Sequence, residues 1–359
     1  MNKDVRMRSL GLSKSEIKSF KNRKVEFNKV TGNIMKKSRS DSKRLRCYIC
    51  NIECSSFCNS HSVPRFCLDN IAINGRLLYS GNLIDSVMFD KPKGINEAGT
   101  FKIICNDCDS KVFKDYENPE NYFKEPTNIM ISQMAMKNYL KNISKRELEN
   151  ALYPNIQQLP SEFVEYIHSI NELDLREYVM GFEYSKKAAS SKWNDHFYLA
   201  YFESLDYVVP VAFQNCVSLI ADFEGNTIND VYNSSQDYFL SEIHISVLPF
   251  KNHSVVLIFI KNGEKGYRTF FKQFKKLTTQ EKPKVINYII FSYSEDVFIY
   301  KGLDKEILEN QELKKVAQQT IVAEATTPFA NSLEEAKRAF DLQNRKLIPN
   351  LLDEAYKVR

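Results

Sequence analysis

Long apolar runs are missing from this sequence of 359 residues. The longest uninterrupted run covers residues 255–260, far fewer than the roughly 20 apolar residues that a membrane-spanning helix needs. The N-terminus is basic but lacks the apolar core of a signal peptide. We therefore expect a cytoplasmic protein that makes no contact with a membrane. Internal repeats and low-complexity tracts are also absent, which excludes a solenoid or a fibrous protein.

Histidine is scarce, and its spacing argues against a histidine-based metal site. The chain has five histidines, and no two of them are spaced as a pair of metal ligands. We expect no catalytic role for the four that lie outside the cysteine-rich region, which are His168, His196, His244 and His253.

Positive charge is concentrated at one end of the chain. Residues 1–46 hold 15 Lys and Arg against 4 Asp and Glu, a balance of +11, and the remainder holds 35 against 41, a balance of −6. A basic segment ahead of a neutral-to-acidic body is typical of contact with nucleic-acid phosphates, and we expect DNA as the partner. The alternative is a solvated leader that only improves solubility. The candidate phosphate-binding residues are Lys36, Lys37, Arg39, Lys43, Arg44 and Arg46.

Hydropathy patterns predict an α+β fold in four segments. With 43% hydrophobic residues, the chain can bury a sizeable core. The segments are a basic, partly flexible arm at 1–46, a cysteine-rich and loop-rich module at 47–120, a helical connector at 121–192, and a mostly antiparallel sheet with C-terminal helices at 193–359.

Local signals predict the individual elements. Thr127 is expected to cap one connector helix, Ser144 and Glu147 to form the capping box of a second, and Ser161 to begin a third. The other predicted helices cover 13–20, the region from the second CxxC pair to 113, 267–277, 284–293, 305–318 and 332–342. The predicted strands cover 77–79, 100–104, 197–201, 207–213, 216–222, 243–248 and 254–260, and residues 36–46 are predicted to be a flexible linker.

Seven of the eight cysteines fall between Cys47 and Cys108, and four of them form two CxxC pairs. In a reducing compartment such clustering indicates metal binding rather than disulfides. Each CxxC spacing lets two thiolates reach one ion, and four thiolates satisfy tetrahedral Zn²⁺. The predicted ligands of one structural zinc are Cys47, Cys50, Cys105 and Cys108. Three further thiols could join a second site, replace one of these ligands, or be buried or free, namely Cys54, Cys58 and Cys67.

The segment between the two pairs contains Ser60-His61-Ser-Val-Pro64, and Asp109 and Lys111 follow the last cysteine. With these residues, positions 47–120 resemble the HNH endonucleases, the zinc-knuckle branch of the ββα-metal nucleases. The resemblance implies a treble-clef-like module around a structural zinc. It also implies a nuclease that uses Mg²⁺ or Mn²⁺, with His61 as general base and Asp109 as a ligand of the catalytic ion.

The module departs from the family pattern at two positions. Ser60 stands where these nucleases commonly have an aspartate, and a hydroxyl is a far weaker Mg²⁺ ligand. Asn96 is the nearest candidate for the middle asparagine, at a long distance in sequence from Cys108. Glu117 could supply the missing carboxylate if it shares a helix side with Asp109.

Two functional hypotheses follow from these observations. The first is a metal-dependent HNH-type endonuclease or nucleic-acid-processing protein, with a bacterial defence role by analogy. The alternative is a non-catalytic, zinc-stabilised protein that binds nucleic acid, or one that binds a protein partner through its C-terminal domain.

Overall fold

The computed structural model describes residues 24–80, 92–157, 159–191, 195–319 and 333–359, with side chains from residue 29 onward. The helix predicted at 13–20 lies outside the described residues, as does the first residue of the helix predicted at 332–342.

The α-helices within the described ranges are numbered α1 to α10 in chain order. They are Lys24–Asp41, Arg65–Asn70, Asn106–Val112, Asn128–Leu152, Ser161–Ser190, Arg268–Lys276, Glu281–Ser292, Lys305–Leu308, Gln311–Val316 and Leu333–Ala339. Short 3₁₀ helices cover Pro119–Tyr122, Tyr153–Asn155, Leu342–Lys346 and Glu354–Tyr356. In the part of the chain that the structure describes, no helix is long and apolar enough to cross a membrane.

The strands are numbered β1 to β9 in the same way. They are Ser60–His61, Arg76–Tyr79, Lys93–Gly94, Thr100–Phe101, Phe197–Leu205, Val211–Val217, Ile243–Pro249, Ser254–Lys261 and Phe298–Ile299. Seven of them form one antiparallel sheet in the order β3-β2-β9-β6-β7-β8-β5, and β1 pairs with β4 in a separate two-stranded sheet. The predicted α+β class, with a mostly antiparallel sheet and a four-cysteine cluster near the N-terminus, is confirmed.

The cysteine-rich module and the main sheet are joined through β2. Leu78 lies opposite Ile299 and Tyr79 lies opposite Phe298, so a strand from the module pairs with β9 near the far end of the chain. The module therefore contributes strands β2 and β3 to the same sheet as the C-terminal residues.

The large sheet separates two hydrophobic cores. Along β6, Ala212 and Cys216 point into the core shared with α4, α5 and the module. Val211, Phe213 and Val217 point into the opposite core, which is shared with α6 and α7. This alternation is the ordinary consequence of the strand pleat. Because both faces are covered, the central strands β6 and β7 are buried along their whole length.

Helix α4 lies at the centre of the first core. The Thr127 hydroxyl oxygen accepts from the Met130 N–H at 3.3 Å, so the predicted cap is confirmed. Every residue from 130 to 143 is buried. The predicted capping box of Ser144 and Glu147 is wrong, because both residues lie inside this continuous helix. Packing against α5 and α1 continues past residue 144 and overrides the local start signal.

The prediction of a flexible linker at residues 36–46 is also wrong for its first half, because α1 extends to Asp41. Ile34 and Met35 pack against Leu152 and Ile156. In proteins, most of the stability of a helix comes from tertiary packing of one face rather than from its own propensity. The prediction of a linker rests on residues 36–46 alone, and this segment does not include Ile34 and Met35, which make the apolar contacts.

The strands predicted at 207–213 and 216–222 are a single strand in the structure, β6, which covers Val211–Val217. Residues 218–222, which the structure describes, form no strand, because the Asp222 carboxylate accepts from the N–H groups of Glu224 and Asn226 and closes a turn. The single helix predicted at 305–318 is two helices, α8 and α9, and Asn310 between them caps α9 by accepting from the Leu313 N–H.

The contact between the module and β9 is tight at Gly99, which leads to the first prediction. Gly99 has φ +61°, and a Cβ there would lie 2.1 Å from a ring carbon of Phe298. We expect Gly99→Ala to lower the free energy of unfolding by about 2–4 kcal/mol, from left-handed strain plus overpacking. Gly75→Ala is the control, because Gly75 also has positive φ (+68°) but open space around it. Gly75→Ala should lower the free energy of unfolding, measured with urea, by only about 1–2 kcal/mol. Equal losses for the two variants would contradict the packing.

Candidate metal centre

The first CxxC pair lies in a turn that the backbone closes on itself. The Cys47 N–H donates to the Ile52 carbonyl at 2.9 Å, and the Asn51 N–H donates to the Cys47 carbonyl at 2.9 Å. Asn51 adopts φ +57°, a left-handed conformation that asparagine tolerates well. The turn leaves Cys47 buried and Cys50 exposed.

The second pair lies at the start of α3. Cys105 is the N-cap residue, and its sulfur accepts from the Cys108 N–H at 3.4 Å. The Cys105 N–H in turn donates to the Cys47 sulfur at 3.3 Å, which links the two pairs directly. Backbone N–H groups at a helix N-terminus stabilise negative charge, so this position favours thiolates.

The four sulfur atoms meet at one point. They all lie within 4.8 Å of one another, and the Cys50 and Cys105 sulfurs are 3.9 Å apart. A tetrahedral zinc with bonds of about 2.3 Å places its sulfurs about 3.8 Å apart. Of the side chains that the structure describes, these four are the only cluster of Cys, His, Asp or Glu close enough to share an ion. The quartet therefore fits a structural metal ion such as zinc, with all four positions filled by protein.

Hydrogen bonding prepares one of these thiols for metal binding. Burial raises the pKa of Cys47, but hydrogen bonds from the N–H groups of Cys50, Cys105 and Ile49 outweigh burial. The resulting pKa is lowered to about 7. A thiol with this pKa is substantially ionised at neutral pH, and the thiolate is the form that binds metal.

The three other cysteines of the module lie outside the quartet. The Cys54 thiol donates to the Ile52 carbonyl at 3.2 Å. The Cys58 thiol donates to Asp109 Oδ2 at 3.2 Å. Cys67 is fully buried, and burial raises its pKa well above the usual value. Cys54 and Cys58 thus make protein hydrogen bonds and Cys67 lies in the hydrophobic core.

His61 lies at the end of β1, opposite Thr100 of β4. Its Nε2–H donates to the Ile95 carbonyl at 3.1 Å. Burial lowers the pKa of His61 below its usual value, although the bond to Ile95 opposes this shift. At neutral pH the imidazole is therefore mostly uncharged, with Nδ1 as its remaining basic nitrogen.

Asp109 belongs to a buried polar cluster that the cysteine pattern did not predict. Its Oδ1 accepts from Lys137 Nζ at 2.7 Å and from the Ser60 hydroxyl at 2.7 Å, and its Oδ2 accepts from the Cys58 thiol at 3.2 Å. Glu117 joins the same cluster, because its Oε1 lies 3.1 Å from Lys137 Nζ. The structure thus brings Ser60, Asp109 and Glu117 together, as the motif suggested, but around an ammonium group.

Lys137 is the central residue of this cluster. Its side chain is 0% exposed. Its Nζ also donates to the Ser60 hydroxyl at 2.8 Å and lies 3.9 Å from the centre of the Phe113 ring. A sequence signal was available, since Lys137 stands in a helix rich in Met, Tyr and Leu, where an unpaired charge would be costly.

The Lys137 ammonium changes the chemistry of Asp109. Although burial raises the pKa of this carboxyl, the ion pair and hydrogen bonds to Lys137 outweigh burial and lower it. The stabilisation from this pair is therefore complete above the usual Asp pKa and is lost as the pH falls through the lowered value. Both carboxylate oxygens are engaged by protein donors.

The remaining candidate residues are distributed over the surface. Asn96 is exposed, and its carbonyl accepts from the Asn59 side chain at 2.7 Å. No hydrogen bond within the described residues joins Asn96 to His61 or Asp109, although His61 contacts the carbonyl of the neighbouring Ile95. Arg44 donates to Glu147 and stacks on Tyr48 at 4.6 Å.

The other predicted phosphate-binding residues are exposed. Arg46 donates to the Asn51 carbonyl at 3.2 Å. The exposed side chains are those of Lys36, Lys37, Arg39, Lys43 and Arg46.

Comparisons with known proteins add no family assignment. No protein-family model matches this chain, and no curated protein or solved structure is significantly similar to it. The resemblance to HNH endonucleases therefore remains a prediction, and the quartet of cysteines is the part of it that the structure supports.

The quartet leads to a prediction about metal content. The purified chain should carry about one equivalent of zinc, and Cys108→Ser should lose it. We expect the free energy of unfolding to fall by about 3 kcal/mol or more, because structural zinc contributes on the order of 10 kcal/mol to small domains. Elemental analysis and urea unfolding measure both effects. Cys54→Ser is the matched control and should keep the metal. The site would be contradicted if the purified chain contained no metal and if a chelator left its free energy of unfolding unchanged.

The buried ammonium leads to a second prediction. Lys137→Met should destabilise the protein by about 2–4 kcal/mol, since it leaves two half-buried carboxylates uncompensated. Adding Asp109→Asn to the same chain should recover about 1 kcal/mol or more in a double-mutant cycle. Lys111→Met is the control, because Lys111 forms an exposed pair with Asp107 that should be worth less than about 1 kcal/mol. Similar losses for Lys137→Met and Lys111→Met would show that the cluster is unimportant.

Proposed function

We propose that this chain is a zinc-stabilised DNA-binding protein, in which helix α1 and the residues that follow it contact the phosphate backbone. The observation that carries the proposal is the row of exposed basic side chains on α1, a helix whose opposite face is held against the body of the protein.

The inner face of α1 is well defined. Thr31, Ile34, Met35 and Ser38 are partly or fully buried and recur at the three- and four-residue spacing of one helix face. Asn155 Nδ2 donates to the Ser38 hydroxyl at 3.3 Å, and to Asp41 Oδ2 at 3.0 Å. These contacts fix the rotation of the helix about its own axis.

The outer face is basic as a consequence. Lys29, Lys36, Lys37 and Arg39 fall between the inner-face positions and are exposed, and Lys43 follows the helix. Within the described residues, these five side chains form no ion pair. Each is therefore available to a phosphate, which would release condensed counterions from the DNA.

The charge distribution supports the same proposal. The first 46 residues carry a balance of +11 and the rest of the chain −6. Such an asymmetry orients the protein with its N-terminal side towards a polyanion and accelerates encounter. Phosphate contacts of this type are independent of base sequence.

The geometry favours this non-catalytic reading over a nuclease. In the nuclease reading, Asp109 would hold a divalent cation, whereas here both its oxygens accept from Lys137, Ser60 and Cys58. An ion held by the four cysteines would have four thiolate ligands, which leave no open position for water or substrate. The Asp109 carboxylate, which a nuclease would need beside His61, is thus already bound by protein donors.

The proposal is tested by the salt dependence of DNA binding. A triple variant, Lys36→Ala, Lys37→Ala and Arg39→Ala, should bind duplex DNA more weakly than wild type. The slope of log K against log salt should fall by about 3, one for each lost phosphate contact. Fluorescence anisotropy of a labelled duplex between low and moderate salt measures the slope.

The matched control removes the same charge elsewhere. Lys251, Lys272 and Lys346 are exposed, and substituting all three with alanine should change the slope much less. Equal effects of the two triple variants would refute a role for α1. Cleavage of DNA by wild type with Mg²⁺ or Mn²⁺, abolished by His61→Ala, would instead establish the nuclease.

A further inference from the structure

A cavity of about 530 Å³ lies between α4, α5, the end of β6 and α10. Its floor is formed near Cys216 and Val217, and one side is closed by the chain from Val231 to Leu240. The volume is within the range of small-molecule sites, about 300–1,000 Å³. The cavity is separate from the cysteine quartet and from α1, and neither the zinc centre nor the basic helix uses it.

The walls of the cavity are rich in tyrosine. Six tyrosines contribute to its lining, which are Tyr153, Tyr166, Tyr178, Tyr232, Tyr238 and Tyr293. Tyr166 and Tyr232 are exposed. Aromatic faces bind flat or aliphatic groups and attract cations through their electron-rich rings.

The charges that line the cavity do not balance. Arg146 is the one basic side chain among the described lining residues, and it pairs with Glu149 at 2.5 Å and with Asp174 at 2.8 Å. Glu177 and Glu242 line the cavity as well, and neither forms an ion pair with another residue that the structure describes. One arginine against four carboxyls leaves a formal charge of −3 when all are ionised.

The two unpaired carboxyls are close together. Glu177 Oε2 accepts from the N–H of Leu240 at 3.1 Å, and Leu240 lies two residues before Glu242. Glu242 accepts from the Tyr139 hydroxyl at 2.8 Å. Arg176, next to Glu177 in sequence, stacks on Phe239 at 4.7 Å and is not part of the lining.

Burial alters the pKa of both groups, although the N–H of Leu240 and the charge of Arg176 oppose the shift at Glu177. Burial raises the pKa of Glu177 and that of Glu242 to about 7 each. A group in this environment gains stability when a positive charge arrives beside it. The protein itself supplies no such charge from the described lining residues.

We propose that this cavity binds a small organic cation, an amine or guanidinium compound with an aromatic or aliphatic body. Its charged group lies between Glu177 and Glu242, and its body packs against the tyrosines. The same carboxyls repel anions, so nucleotides and other phosphate compounds are excluded. The proposal is independent of DNA binding.

The test uses two probes that share a ring and differ in charge. Tyramine carries an amine, and 4-hydroxyphenylacetate carries a carboxylate on the same phenol. Agmatine is the aliphatic probe. Isothermal titration of the full chain without DNA should show saturable binding of tyramine or agmatine, and binding of 4-hydroxyphenylacetate at least tenfold weaker.

Two kinds of variant place that binding in the cavity. The double variant Glu177→Gln and Glu242→Gln keeps the size of both side chains and should weaken amine binding at least tenfold. Ile170→Trp, at a lining position, should block the cavity while leaving both carboxyls in place. Glu172→Gln is the control on the exposed side of α5 and should bind as wild type does; circular dichroism confirms that each variant is folded.

Three outcomes would overturn the proposal. One is no saturable binding of either amine. Another is equal binding of the amine and the carboxylate probe. The third is amine binding that survives both the double glutamine variant and Ile170→Trp.

Discussion

The structure depends on buried lysines of α4 that reach acidic groups on separate parts of the chain. Lys137 pairs with Asp109 and Glu117 of the cysteine-rich module. Lys141, one helical turn later, pairs at 3.0 Å with Asp296, which precedes β9. Because residues four apart share a helix face, one stripe of α4 holds the module and the segment before β9 together.

Such pairs determine arrangement more than they contribute net stability. Removing a lysine and a carboxylate from water costs several kcal/mol per ion, on the order of what the pair regains. Each lysine is therefore tolerated in the interior only when its carboxylate partner lies beside it. If the module packed against α4 in another position, Lys137 or Asp296 would be buried without a partner. Asp296 also accepts a hydrogen bond of 2.5 Å from the hydroxyl of Tyr79, a residue of strand β2 in the module. The same carboxylate thus joins α4, the module and the segment before β9.

The parts of this structure that could be predicted from sequence are those determined locally. The CxxC spacing determines where sulfurs can point, and short apolar runs predict the strands at 243–248 and 254–260. Thr127 is a further local signal, and α4 starts after it as expected. The helix predicted at 267–277 is also present as α6, with Phe270, Phe271 and Phe274 buried.

The features that sequence did not predict depend on residues distant in the chain. The partner of Asp109 is 28 positions away, and Tyr79 pairs with Asp296 across 217 positions. Helix α1 forms because Ile34 and Met35 meet Leu152 and Ile156. No local pattern contains these contacts. A lysine inside an apolar helix shows only that a partner exists, and not which carboxylate it is.

The C-terminal turns of α4 separate the two surfaces that we associate with binding. Glu147 faces α1, where it pairs with Arg44, and Leu152 packs under the apolar side of α1. Arg146 and Glu149, on neighbouring positions of the same turns, face the tyrosine-lined cavity. Packed helices move as rigid elements rather than deforming continuously, and the ion pairs of Arg146 lie on the same helix that supports α1. The basic surface and the cavity therefore share one structural support, although they lie on opposite sides of it.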